Sequence, residues 1–147
     1  EKYSKDMAQL GFDVVATKNV DDLIDTCNLI VTTTASKSAI LTGPVKQGTH
    51  ITAMGSDTHD KQEVCSSILG QADLIVADSI SQCLLRGEIY QSLKVGSIKQ
   101  DDLTELGNII SGNVDGRLSE DQITVADLTG VAVQDIQITK AVYEQIS

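Results

Sequence analysis

Aromatic residues are scarce in this chain: no tryptophan, one phenylalanine and three tyrosines in 147 residues. The apolar fraction is nevertheless 41%, so the core must be aliphatic, built from Val, Ile, Leu and Ala. Basic residues are also few, 11 against 21 acidic ones, for a net charge of −10. That balance argues against nucleic acid or an anionic membrane as a partner. It leaves room for a nucleotide cofactor, which is held by backbone N–H groups and helix ends rather than by net charge. No apolar run reaches the roughly 18 residues of a membrane span, and no signal-peptide pattern opens the chain. Cys27, Cys65 and Cys83 are odd in number, widely spaced and without a CxxC pair. They fit free thiols in a reducing cytoplasm. His50 and His59 have no cysteine or histidine at ligand spacing, so no metal site is expected.

The length is that of one domain, and strand and helix signals alternate along it. Residues 2–10 read as a helix stopped by Gly11, and 12–16 as a short strand. Asn19 opens a helix whose Val20, Leu23 and Ile24 share a face. Buried aliphatic runs predict further strands near 28–33, 49–53, 73–77 and 123–127. Asp60 and Glu63 read as a capping box for a helix over 61–69, and Asp102 and Glu105 as the cap of another running to Ile110. Residues 79–86 read as helical. Thr129 reads as the N-cap of a long final helix with Ile138, Ala141 and Val142 at helical spacing. The alternation predicts an α/β fold with a parallel, doubly wound sheet and a C-terminal helix. A dinucleotide domain usually opens with a strand and G-x-G-x-x-G, and that motif does not occur here. The expectation is a partial Rossmann-type sheet lacking its first strand and glycine-rich loop.

The segment 50–63, His-Ile-Thr-Ala-Met-Gly-Ser-Asp-Thr-His-Asp-Lys-Gln-Glu, carries the candidate chemistry. It reads as a buried strand entering a glycine turn that presents Asp57 and Lys61. In a parallel sheet, ligands sit in the crevice outside the carboxyl ends of the strands. A carboxylate there could act as a general acid/base, and Lys61 could balance its charge or bond a cofactor ribose. The bland alternatives are an Asx turn for Asp57 and a first-turn surface lysine for Lys61. Gly55 allows close backbone approach. Thr32, Thr33 and Thr34 end a strand, where their hydroxyls satisfy backbone groups or, at Thr34, face a cofactor. Thr129 and Gly130 either aim N–H groups at a ligand or form an ordinary cap. Glu63 reads as a helix cap only, and His50 as a locally bonded strand residue.

Val31-Thr32-Thr33-Thr34-Ala35-Ser36, Gly48-Thr49-His50, Ala53-Met54-Gly55-Ser56-Asp57, Lys61-Gln62-Glu63, Arg86-Gly87-Glu88, Glu105-Leu106-Gly107, Gly116-Arg117 and 123–130 (ITVADLTG), in that order and spacing, resemble the ornithine cyclodeaminase/μ-crystallin family. The motifs at 52–57 and 127–130 look most like its ectoine-utilisation cyclodeaminases. The resemblance implies a cofactor, NAD or NADP, and a small amino-acid substrate that passes through an imine. Its chemistries are cyclising deamination with loss of ammonia, alanine dehydrogenation, ketimine reduction and, in crystallins, non-catalytic binding. It places Asp57 as the catalytic acid/base, with Thr34, Met54, Gly55, Ser56, Lys61 and Leu128 at the cofactor and Thr129 toward substrate. Leu128 stands where cyclodeaminases proper carry a serine. It also implies that 1–130 form the later part of the NAD(P)-binding domain. Residues 131–147 would then be a helix returning to a dimerisation and substrate domain, in a homodimer or higher assembly. Without the phosphate loop and the substrate lysine, this stretch alone is expected to bind cofactor weakly or not at all.

Overall fold

The computed structural model describes residues 2–146. In chain order it contains α1 (Lys2–Gln9), α2 (Val20–Thr26), β1 (Leu29–Thr32), β2 (His50–Ala53), α3 (Ser66–Leu69), β3 (Leu74–Ala77) and α4 (Ile80–Cys83). Then come α5 (Gly87–Lys94), β4 (Leu103–Glu105), α6 (Leu106–Ile110), β5 (Thr124–Asp127) and α7 (Ala132–Ile146). The strands form one parallel sheet in the order β1-β2-β5-β3-β4. The α/β class, the parallel sheet and the C-terminal helix agree with the sequence reading.

Register explains the core. Ile30, Ile51, Val125, Ile75 and Leu103 stand side by side across the five strands. With Ile68, Leu69 and Ile89 of the covering helices they belong to one aliphatic cluster. β5, at the centre, is buried along its whole length, whereas β1 alternates exposed and buried residues. Protection therefore fades toward the β1 edge, where Val31 is 56% exposed. Each strand brings its last residue to the same line: Thr32, Ala53, Asp127, Ala77 and Glu105.

Several expected elements differ. Residues 12–16 form no strand; they are irregular, and Val15 is 86% exposed. A strand exists only through a neighbour's ladder, and this segment has none among the described residues; Phe12 N–H instead donates to Met7 C=O at the end of α1. The helix expected over 61–69 shrinks to α3, and the Asp60/Glu63 capping box does not form. The Glu63 carboxylate turns inward to the Thr34 and Gly55 amides, while Asp60 pairs with Lys37 at 2.7 Å. The helix expected from Asp102 starts instead at Leu106, because Leu103–Glu105 pairs with β3 as the edge strand. The helical stretch 79–86 is shorter, and it is followed by α5, a second helix that the sequence pattern does not announce. Thr129 does not cap the final helix, which begins at Ala132; its hydroxyl donates to Asp78. No described residue of α7 is buried, and no helix among the described residues is long and apolar enough to cross a membrane.

Candidate active site

The carboxyl ends of β1, β2 and β5 lie next to one another, so the loops that leave them converge. Thr34 follows β1, Met54 to Asp57 follow β2, and Leu128 and Thr129 follow β5. Thr34 and Met54 are exposed, Leu128 is half-buried and Thr129 is buried. Backbone bonds hold these exits in register: Met54 N–H donates to Thr32 C=O at 2.9 Å and Leu128 N–H to Ala53 C=O at 2.8 Å. The loops carrying Thr34, Met54 to Asp57, Leu128 and Thr129 thus leave the same, carboxyl edge of the sheet.

Asp57 and Lys61 form an ion pair, Oδ1 to Nζ, at 2.6 Å. The ammonium beside it holds the Asp57 carboxyl below its ordinary range, chiefly through that hydrogen bond. A carboxylate so placed is ionised at neutral pH and open to solvent, the state a base requires. Ser56 behaves differently. It is only 2% exposed, and its hydroxyl turns inward to donate to the Glu88 carboxylate. What Ser56 can offer a ligand is therefore its backbone.

Beneath this surface lies a set of acidic residues that the sequence reading missed or misassigned. Glu63 accepts from the backbone N–H groups of Thr34 and Gly55, the latter at 2.7 Å. Glu88 accepts from the N–H of Glu63 at 2.7 Å and of Val64 at 3.0 Å. Burial pushes Glu88 above the ordinary carboxylate range, and these bonds oppose the shift. Asp78 collects Ser79 N–H and Gly130 N–H, each at 2.8 Å, and the Thr129 hydroxyl at 3.1 Å. Asp127, at the end of β5, accepts Ile89 N–H at 2.8 Å and is pushed up to about 8, first by burial and then by the Glu88 and Asp78 charges. One signal could have found Glu88. A helical reading of 87–94 puts Glu88 on the same buried face as Ile89 and Ser92.

A cavity of about 730 Å³ lies elsewhere, at the amino ends of the strands beside Asn28, His50 and Arg117. The Arg117 guanidinium there is occupied by the carbonyls of Gly48, Ser119 and Glu120. His50 bonds Thr124 and Thr52 locally, and burial lowers its pKa. Ligands of open α/β sheets bind at the opposite, carboxyl edge, where the convergent polar groups are, and that edge is taken as the site.

A parallel sheet with an acid, a lysine and small turns at its carboxyl edge defines a nucleotide-binding α/β domain of the doubly wound class. The chain belongs to the ornithine cyclodeaminase/mu-crystallin family, whose model matches residues 1–147. It is 40% identical over 120 residues to alanine dehydrogenase of Archaeoglobus fulgidus, covering 80% of this chain and 37% of that protein. It is 36% identical over 138 residues to iminosuccinate reductase of Paracoccus denitrificans, covering 93% and 42%. An ornithine cyclodeaminase of Brucella suis is 33% identical over 149 residues, covering 99% and 40%. The chain thus spans about two fifths of the length of these relatives. Among solved structures, an archaeal alanine dehydrogenase dimer with bound NAD superposes with a TM-score of 0.89 at 35% identity, over 97% of this chain and 44% of that one.

Proposed function

We propose that this chain supplies the later part of the NAD(P)-binding domain of an enzyme that works on a small 2-amino acid through its imine. The observation that carries the reading is the Asp57–Lys61 pair after the carboxyl end of β2, whose neighbours β1 and β5 lead at the same edge to Thr34 and Leu128. These residues suit a nicotinamide: Met54 and Leu128 offer apolar surface to a flat ring, and Thr34 and the turn at Gly55 offer polar groups at its rim. Bound there, the nicotinamide would accept a hydride from C2 of the amino acid or return it. Asp57 would take the proton from the substrate nitrogen as the imine forms and give it back in the reverse sense, a contribution of roughly 10²–10⁴-fold. Lys61 keeps Asp57 ionised and fixes its direction. Thr129, which Asp78 anchors at the exit of β5, borders the substrate side.

For the finer reaction we propose cyclising deamination, in which the imine is attacked by a second amine of the same molecule, ammonia leaves, and the hydride returns to the cyclic imine. A second reading, simple amino-acid dehydrogenation or imine reduction, is favoured by the alanine dehydrogenase and iminosuccinate reductase relatives and by Leu128, which brings no hydroxyl. Product analysis on the full-length protein separates them: a saturated cyclic amino acid plus ammonia with no net change in NADH marks the first, stoichiometric NADH turnover the second. Asp57→Asn tests the shared step. It is expected to lower kcat by about 10²-fold while leaving cofactor affinity nearly unchanged. Near-normal turnover in that variant would return Asp57 to the status of a turn residue.

A further inference from the structure

The loop that carries Asp57 and Lys61 is exposed over 57–60, yet an acid/base must stand within a few tenths of an ångström of its place to work. We propose that Glu63 and Glu88 are positioning residues: two buried carboxylates, stacked one on the other through the backbone of residue 63, that clamp the turn 54–56 and so set where Asp57 stands. The inference rests on the acid/base reading of Asp57.

The clamp has two tiers. In the upper tier, one oxygen of Glu63 takes the N–H of Thr34 and the other takes the N–H of Gly55. A single side chain thereby ties together the exits of β1 and β2. In the lower tier, Glu88 takes the N–H groups of Glu63 and Val64 and also the hydroxyl of Ser56, the residue directly before Asp57. Both carboxylates are fully buried, and the Glu63 carbonyl further accepts the N–H groups of Ile40 and Leu41 at 2.8 and 2.9 Å. The far arm of the loop is held from the same helix. Gln91, one turn after Glu88 on α5, donates to the carbonyls of His59 at 2.8 Å and Lys61 at 3.3 Å.

Three features argue for positioning rather than for packing alone. Each oxygen of Glu63 and Glu88 faces a donor, so only a carboxylate, with acceptors on both arms, satisfies the sites. A neutral hydrocarbon would fill the space and leave those donors buried and unpaired, at a cost no stable fold needs to carry. Gly55 is fitted to the clamp, since a Cβ there would lie 2.1 Å from the Thr34 carbonyl oxygen and 2.4 Å from Cδ of Glu63. And the bonds converge on the residues next to the proposed acid/base instead of spreading through the core.

The test uses the full-length protein with Ser56→Ala, Glu63→Gln and Glu88→Gln, and Asp57→Asn as reference. Each is measured for kcat, for KM of the amino acid, for the pH profile of kcat and for thermal midpoint. The glutamine variants keep shape but turn an amide donor toward a backbone N–H. They are expected to lose about 10²-fold in kcat and to shift the acidic limb of the profile, because the Asp57–Lys61 geometry changes. Ser56→Ala removes one hydroxyl, tolerates folding and is expected to lose about 10-fold in kcat with little change in KM for the amino acid. Purely structural carboxylates would lower the midpoint alone. Wild-type kcat and pH limb in folded Ser56→Ala and in either glutamine variant, with Asp57→Asn inactive, would overturn the clamp and spare the acid/base reading. Should a glutamine variant fail to fold, Ser56→Ala decides. Full turnover in Asp57→Asn would overturn both.

Discussion

Gly87 and Asp127 touch where α5 starts over the end of β5: a Cβ on Gly87 would lie 2.5 Å from Asp127 Oδ2. Gly87 also has φ +89, in the left-handed region that favours glycine. Both the backbone angle and the space exclude a side chain. Gly87→Ala is therefore expected to destabilise by about 2 kcal/mol or more, read as a shifted denaturant midpoint at unchanged slope.

Asp127 predicts an unusual dependence of stability on pH. Its folded pKa, about 8, lies above that of an unfolded aspartate. Between about pH 4 and pH 8 the folded state therefore holds a proton that the unfolded state has lost. The stabilisation from this group is full below the unfolded pKa and is lost as pH rises through the folded one. Glu88, also raised, acts in the same sense, and Asp78 adds negative charge nearby. Asp127→Asn still offers an acceptor to Ile89 N–H. Unfolding curves across that window are expected to be flatter for Asp127→Asn than for the parent. The difference should have a slope of up to about 1.4 kcal/mol per pH unit.

Lys61 holds Asp57 below the usual carboxylate range, so activity that needs the ionised acid should persist to low pH and fail as pH falls through that depressed value. Lys61→Ala is expected to move this limb upward, toward the ordinary aspartate range near 3.9, and to raise KM. A kcat/KM profile of the two proteins in the full-length background checks the direction.

The elements that were legible in the sequence are those decided by local pattern. Ile30, Ile51, Ile75 and Val125 mark strands because each lies in a short aliphatic run bounded by polar or glycine residues. The five-residue stretch at 12–16 has the same look, and no pattern within it says that it lacks a partner. Glu63 shows the limit more sharply. Its spacing from Asp60 is that of a capping box, yet two amides brought from residues 34 and 55 compete for its carboxylate and win. Such donors come together only once β1 and β2 are paired. Glu88, Asp78 and Asp127 were missed for the same reason, since their burial and their partners belong to the assembled sheet. Asp57, Lys61 and Thr34 are legible as candidates because a strand end followed by a turn is a local feature, whereas Leu128 enters only through the family resemblance.

The β1 edge is unpaired among the described residues and carries Leu29 and Val31 exposed. A row of free backbone groups with apolar side chains invites another strand. The 147-residue polypeptide on its own is expected to self-associate, and Val31→Lys to reduce this by adding charge at the edge. Sedimentation velocity at several concentrations reads the outcome, and a concentration-independent monomer for the parent polypeptide would contradict it.

The position of β5 bears on how the molecule assembles as it leaves the ribosome. The last of the described strands sits in the middle of the sheet, pairing His50 with Thr124 on one side and Leu74 with Thr124 on the other. Among the described residues only β5 joins β1–β2 to β3–β4, pairing with both β2 and β3, so no ladder can link the two pairs until residue 124 has been made. The seam therefore closes late, across 74 residues from His50, and such distant closure is slow because chain entropy is lost before contacts repay it. Synthesis that stalls before β5 would leave two half-sheets with their inner edges open, the state in which this chain is most exposed to aggregation and to chaperones.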